Sequence, residues 1–142
     1  MEKKFEWIEH PSDVGFRAHG RTLAEAFQNA GAALFEIMTD LNKIVAREEF
    51  SITLEAEDKH ALLYDWIDKL LYLHDSLGVV LNKFEVRIKE EGGRFKLEAK
   101  VWGEKFDPSR HPSRTSVKAM TYHMMEIKEE EGHAWVQAVV DI

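Results

Sequence analysis

The chain has 142 residues, 44% of them hydrophobic and 32% charged, with no cysteine and a formal net charge of −7. That length suits one domain burying roughly two-thirds of its unfolded surface, and the composition excludes a disordered, membrane-spanning, disulfide-bonded or thiolate-metal protein. The acidic balance argues against a free-standing nucleic-acid binder, which needs clustered Lys and Arg against phosphates; the absence of cysteine and of a secretory leader pattern predicts a cytoplasmic location.

Phe5 to Glu9 reads as a strand, Pro11-Ser12-Asp13 as a break in the ladder, and Val14 to His19 as a second extended run. Thr22-Leu23-Ala24-Glu25 is a capping box that starts a helix ending near Met38. Its Leu23, Phe27, Ala30, Leu34 and Ile37 form an apolar stripe at three- and four-residue spacing. Phe50 to Glu55 alternates as a half-buried strand does. Asp58 caps a second helix, which carries Leu62, Leu63, Trp66, Ile67, Leu70, Leu71 and Leu73 and stops at Gly78; so wide an apolar face predicts the more buried of the two helices.

From Val79 the period becomes two, with a hairpin that turns through Glu91-Gly92-Gly93. Gly103 to Arg114, with two of the three prolines, reads as an exposed loop of the kind that often carries function. A strand follows near Lys118 to Lys128, then a turn at Glu129-Glu130-Glu131-Gly132 and a last strand from His133 to Ile142. This order predicts an α+β fold: a single domain over residues 1–142, with two main helices packed on a mostly antiparallel or mixed β-sheet. No internal repeat appears.

Familiar catalytic motifs are missing: there is no Gly-rich phosphate loop, His-Glu-x-x-His helix or Gly-x-Ser-x-Gly elbow, and the seven histidines show no zinc spacing. Three segments stand out instead: His10-Pro11-Ser12-Asp13, Lys118 with Tyr122-His123, and Asp141-Ile142. Taken singly each has an ordinary reading. The histidines are surface hydrogen-bonding groups, Asp13 caps the turn after Pro11, Lys118 is salt-bridged, and Asp141 is solvated beside the carboxylate of Ile142. Taken together, oxygen donors from Asp13, Asp141 and Ile142 suit a hard cation such as calcium or magnesium, although their spacing is too long-range for the sequence to bring them together.

The segment His10-x-x-Asp13-x-Gly15, the loop ending in His111, the run Val117-Lys118-Ala119-Met120-Thr121-Tyr122-His123 and the closing Val139-Val140-Asp141-Ile142 resemble the archease family over the whole chain. The resemblance implies a non-catalytic protein cofactor of the RtcB-type RNA-splicing ligase, stimulating its guanylylation and its multiple turnover in tRNA splicing. It implies a divalent metal, calcium by preference, on Asp13, Asp141 and the terminal carboxylate of Ile142. It also implies ligase contacts at His10, Lys118 and His123, and tRNA reached only through the ligase, with no membrane partner. A chaperone-like interaction module is the alternative. Neither the resemblance nor the residues fix the oligomeric state.

Overall fold

The computed structural model describes residues 4–10 and 13–142. The elements are β1 (Phe5–His10), β2 (Asp13–Gly20), α1 (Leu23–Met38), a 3-10 turn (Leu41–Lys43), β3 (Glu48–Ala56), α2 (Lys59–Leu77), β4 (Val79–Glu91), β5 (Arg94–Lys105), β6 (Ala119–Met120), β7 (Glu126–Glu130) and β8 (His133–Asp141). The α+β expectation holds. The strands divide into two sheets, one ordered β1-β2-β8-β6 with β7 also on β8, the other β3-β5-β4. Every strand pair among the described residues is antiparallel. Pro11 and Ser12, expected as a break, lie outside the described residues; Asp13, expected in that break, is the first residue of β2.

The helix ends follow from local chemistry. Thr22 accepts from the Glu25 amide at 3.1 Å, as the expected capping box requires, while the Glu25 side chain reaches back one residue beyond the cap to accept from the Arg21 amide at 3.0 Å. Asp58 accepts from the Ala61 amide at 2.8 Å, and α2 ends at Gly78 with φ 67°, a left-handed cap that costs a residue without Cβ little.

Burial of the helices departs from expectation. The predicted stripe of α2 is buried, but α1 is the more enclosed helix: Ala26, Phe27, Ala30, Gly31, Ala33, Leu34 and Phe35 bury several of its faces. The reason is position, since α1 packs on β2 and β8 of the first sheet and also against β4 of the second. Small residues make this possible. A Cβ on Gly31 would stand 2.9 Å from the Phe84 ring of β4. The Trp66 indole, fully buried on α2, donates to Phe27 O at 2.9 Å and so ties the two helices together. Gln28 of α1 accepts from the Val86 amide at 3.0 Å, satisfying an edge-strand donor of β4 that has no ladder partner.

The second sheet bulges where β4 slips register between Leu81 and Lys83. Gly103 lies opposite that slip. A Cβ there would land on the Val80 carbonyl oxygen and 2.7 Å from Leu81 Cα, both of them backbone atoms that cannot swing aside. Gly103→Ala is therefore expected to destabilise the fold at the upper end of the roughly 1–3 kcal/mol typical of overpacking. Urea unfolding beside a Gly92→Ala control in the open hairpin turn measures it; equal losses would mean that the close approach at Gly103 costs no more than the positive φ at Gly92.

Two boundaries differ from the sequence expectation. The loop begins after Lys105, since β5 continues through Gly103 and Glu104. Two adjacent buried residues, one of them a carboxylate, break the period-two signal there. The predicted Lys118–Lys128 strand is two short ones, β6 and β7. Between them Thr121 Oγ1 donates to Val139 O at 2.8 Å, and Met124 takes a left-handed φ of 53°. Gln137 Nε2 holds that turn by donating to Met124 O at 2.8 Å.

The connection from β5 to β6 straps the C-terminus of α1. The Arg114 and Thr115 amides donate to Met38 O and Ile37 O at 3.0 and 3.2 Å, and Arg114 Nη1 donates to Glu36 O at 2.9 Å. Carbonyls that no helical N–H reaches are thereby satisfied, and the strap delivers Lys118 to the end of β8.

Candidate functional site

Antiparallel register decides which predicted residues meet. On β2 and β8 Asp13 stands directly opposite Asp141. The row continues outwards, His10 of β1 opposite Asp13 and Ala119 of β6 opposite Asp141. Four strands thus contribute to one line at one end of the first sheet. Lys118, one residue before Ala119, donates its amide to Asp141 O at 2.8 Å.

Alternation sets the face. Ala134, Val136, Ala138 and Val140 of β8 are buried in the core against the helices, so Asp141 projects from the opposite face, and Asp13, paired with it, shares that face. Directly opposed side chains have Cβ atoms about 4.5–5.5 Å apart. Two carboxylates at that spacing repel, and they supply hard oxygen donors to a divalent cation. Among the described residues no three His, Cys, Asp or Glu side chains converge as a metal site. The pair therefore fits such an ion as two ligands, with further oxygens needed; Ile142, the next residue, is half-buried against the core and its main chain adjoins the row.

Lys118 is exposed and forms no ion pair among the described residues, contrary to the salt-bridged reading, and its main chain adjoins the row. His123 is not in the row. It is exposed in the β6–β7 turn, where its amide donates to Thr121 Oγ1 at 3.2 Å. His10 is placed by its backbone register alone.

Further along the same face the chemistry changes from acidic to mixed. Gly15 sits between Ile8 and Val139, where a Cβ would come within 3.1 and 3.2 Å of their side chains. Beyond it Arg17 donates to Gln137 Oε1 at 2.8 Å and lies 4.0 Å over the Trp135 ring. His19 then bridges Glu6 at 2.9 Å and His133 at 3.3 Å.

A second polar cluster escaped the sequence reading. Glu104 is 3% exposed and accepts from the Val45 amide, Arg47 Nε, both terminal nitrogens of Arg110 and His111 Nε2, at 2.7 to 3.2 Å. Because the Asp107 amide donates to His111 Nδ1 at 2.8 Å, the ring proton sits on Nε2, aimed at Glu104. The Arg110 hydrogen bond leads these in holding the Glu104 carboxyl well below the usual range, against the opposing effect of burial. His111, named with the family motif, is thus a buried anchor of the strap. The one sequence signal was Arg110-His111 three and four residues after Asp107.

A sequence model of the archease protein family matches residues 5–142. The chain belongs to the archease family. It is 47% identical over 140 residues to the protein archease of Sulfurisphaera tokodaii, covering 99% of each chain. Among solved structures, the solution structure of Methanobacterium thermoautotrophicum protein 1598 has a TM-score of 0.86 at 39% identity, covering 98% of this chain and 99% of that one. A Thermotoga maritima crystal structure, described as an archease and possible chaperone, has a TM-score of 0.59 at 24% identity, over 100% and 98% of the two chains, and shows the shared fold. Among the described residues no helix is long and apolar enough to cross a membrane.

Proposed function

We propose that this archease-family chain is a protein cofactor of an RtcB-type RNA ligase, stimulating its guanylylation and its repeated turnover in tRNA splicing, and not an enzyme itself. The observation that supports the reading most is the row of Asp13 opposite Asp141 with Lys118 hydrogen-bonded beside it, at one end of a sheet where Asp141 and Lys118 are exposed and Asp13 is half-buried. Asp13, Asp141 and the Ile142 carboxylate would hold a divalent cation, calcium by preference, and such an ion would supply positive charge to phosphate groups. Lys118 adds a cation beside the same row; His10 shares its register, and His123 offers a second contact from the neighbouring turn. The RNA is reached through the ligase, which fits a net charge of −7.

The test counts RNA products per ligase molecule with GTP and excess RNA ends. The wild-type chain is expected to raise the count well above that of ligase alone, and Asp13→Asn to remove the increase. A short extension after Ile142 is expected to abolish stimulation while an N-terminal extension leaves it intact; equal activity of the two extended chains would sink the role of the Ile142 carboxylate. A chain that merely slows ligase aggregation, leaving products per active ligase unchanged, would establish the chaperone reading instead.

A further inference from the structure

Away from the aspartate row, α2 turns a face outwards that carries Tyr64, Asp65, Asp68 and Tyr72. The Tyr122 ring from the β6–β7 turn stacks on Tyr64, with centroids 4.5 Å apart and planes at 14°. Both Tyr122 and Tyr72 are more than half exposed, at 57% and 58%. Beside them lies a cavity of about 380 Å³ lined by Leu54, Asp65, Asp68, Lys69 and Tyr72.

The charges of this cavity are unbalanced. Asp65 and Asp68, one helical turn apart, form no ion pair among the described residues. Lys69, which lines the same cavity, lies 4.9 Å over the Tyr72 ring and pairs with neither aspartate among the described residues, while Lys59 is held by Glu129 at 2.7 Å. Burial, followed by the charge of Asp68, pushes the Asp65 carboxyl up, and burial, then Asp65 and its acidic neighbours, does the same to the Tyr122 hydroxyl.

We propose that this face of α2 receives an arginine side chain from a basic segment of a partner protein, the guanidinium lying on the exposed tyrosine rings and pairing with Asp65 and Asp68. Arginine fits better than lysine because its planar fork meets carboxylates bidentately and stacks on aromatic faces, whereas an ammonium is a compact, strongly hydrated point charge. A protein segment is the occupant favoured by charge, since the same acidic, aromatic surface repels nucleic-acid phosphates. This docking surface deepens the reading of the chain as a protein that acts on a partner, and its test uses no ligase, so the two stand or fall separately.

The probe is an acetylated Gly-Arg-Gly-Arg-Gly-Arg-Gly peptide, titrated into the full chain at low salt and followed by amide and tyrosine NMR shifts, with Lys and Glu versions alongside. Shifts are expected at residues 64–72 and at Tyr122, with Arg binding tighter than Lys and no binding by Glu. Asp65→Asn with Asp68→Asn is expected to weaken binding by about tenfold or more, and Tyr122→Ala by several-fold. Glu90→Gln with Glu91→Gln in the exposed hairpin removes the same charge elsewhere and is expected to leave affinity within about twofold. Equal weakening by the two double variants, shifts centred on Asp13 and Asp141, or no binding of the Arg peptide would each overturn the proposal. Thermal melts of every variant check that the fold is kept.

Discussion

Glu104→Gln is expected to cost the fold about 3–5 kcal/mol, the range for breaking a buried charge whose partners stay behind. The carboxylate is surrounded by N–H donors alone, from Val45, Arg47, Arg110 and His111. A glutamine would turn its own NH2 towards some of them, placing donor against donor and leaving arginine charge uncompensated at a site the carboxylate held 3% exposed. Neighbouring structure would loosen with it, because Val45 and Arg47 enter β3 and Arg110 and His111 anchor the strap. The pH dependence follows in sign. The folded state holds the Glu104 carboxyl well below its ordinary value, so the stabilisation is present above that value, about 4.3, and is lost as pH falls beneath it, where the unfolded chain takes up a proton first. Urea midpoints measured at about pH 6 and pH 3 should show the wild type losing more than Glu104→Gln. Parallel losses, or wild-type stability for the variant at pH 6, would show that the network contributes little.

The contrast between this cluster and the helix ends shows what was legible in the sequence. Thr22 with Glu25, Asp58 and Gly78 act on atoms within a few residues, so caps and helix limits could be read directly. The same holds for the hairpin, where Gly92 and Gly93, with φ of 58° and 77°, supply the left-handed pair its two-residue turn needs. Non-local facts could not be read. Glu104 looked like a loop residue because two of its partners, Val45 and Arg47, lie more than fifty residues upstream. The enclosure of α1 depended on the strands splitting into two sheets, and its own stripe was no wider than that of α2. The run from Lys118 to Lys128 looked continuous because its break comes from a threonine hydroxyl and a glutamine amide binding backbone across β8. Of the candidate site, residue types were legible and their meeting was not: whether Asp13 faces Asp141 is a matter of register between strands more than a hundred residues apart, and a slip of one residue would send the two to opposite faces.

Asp141→Asn is expected to separate stability from function. In the absence of divalent cations it should raise stability by roughly 0.2–1 kcal/mol, because it removes one of two like charges held directly opposite each other. The side chain is exposed, so little packing is lost in exchange. The main-chain bond from Lys118 to Asp141 O survives the substitution, so β6 stays docked and the fold around the row is kept. Under the proposed function the same variant should lose most of its stimulation of the ligase. Calcium supplies the decisive arm. Added to the wild type it should raise the melting temperature with increasing concentration, as any ligand of the folded state alone must, and added to Asp141→Asn it should do so far less. A residue kept at a cost to stability and needed for activity is what a binding site predicts, whereas two solvated carboxylates predict a stabilised variant with full stimulation and no calcium effect in either protein. Stabilisation with activity retained would leave the row as a strained sheet end, and the ligase contact would then have to be sought at the tyrosine face of α2.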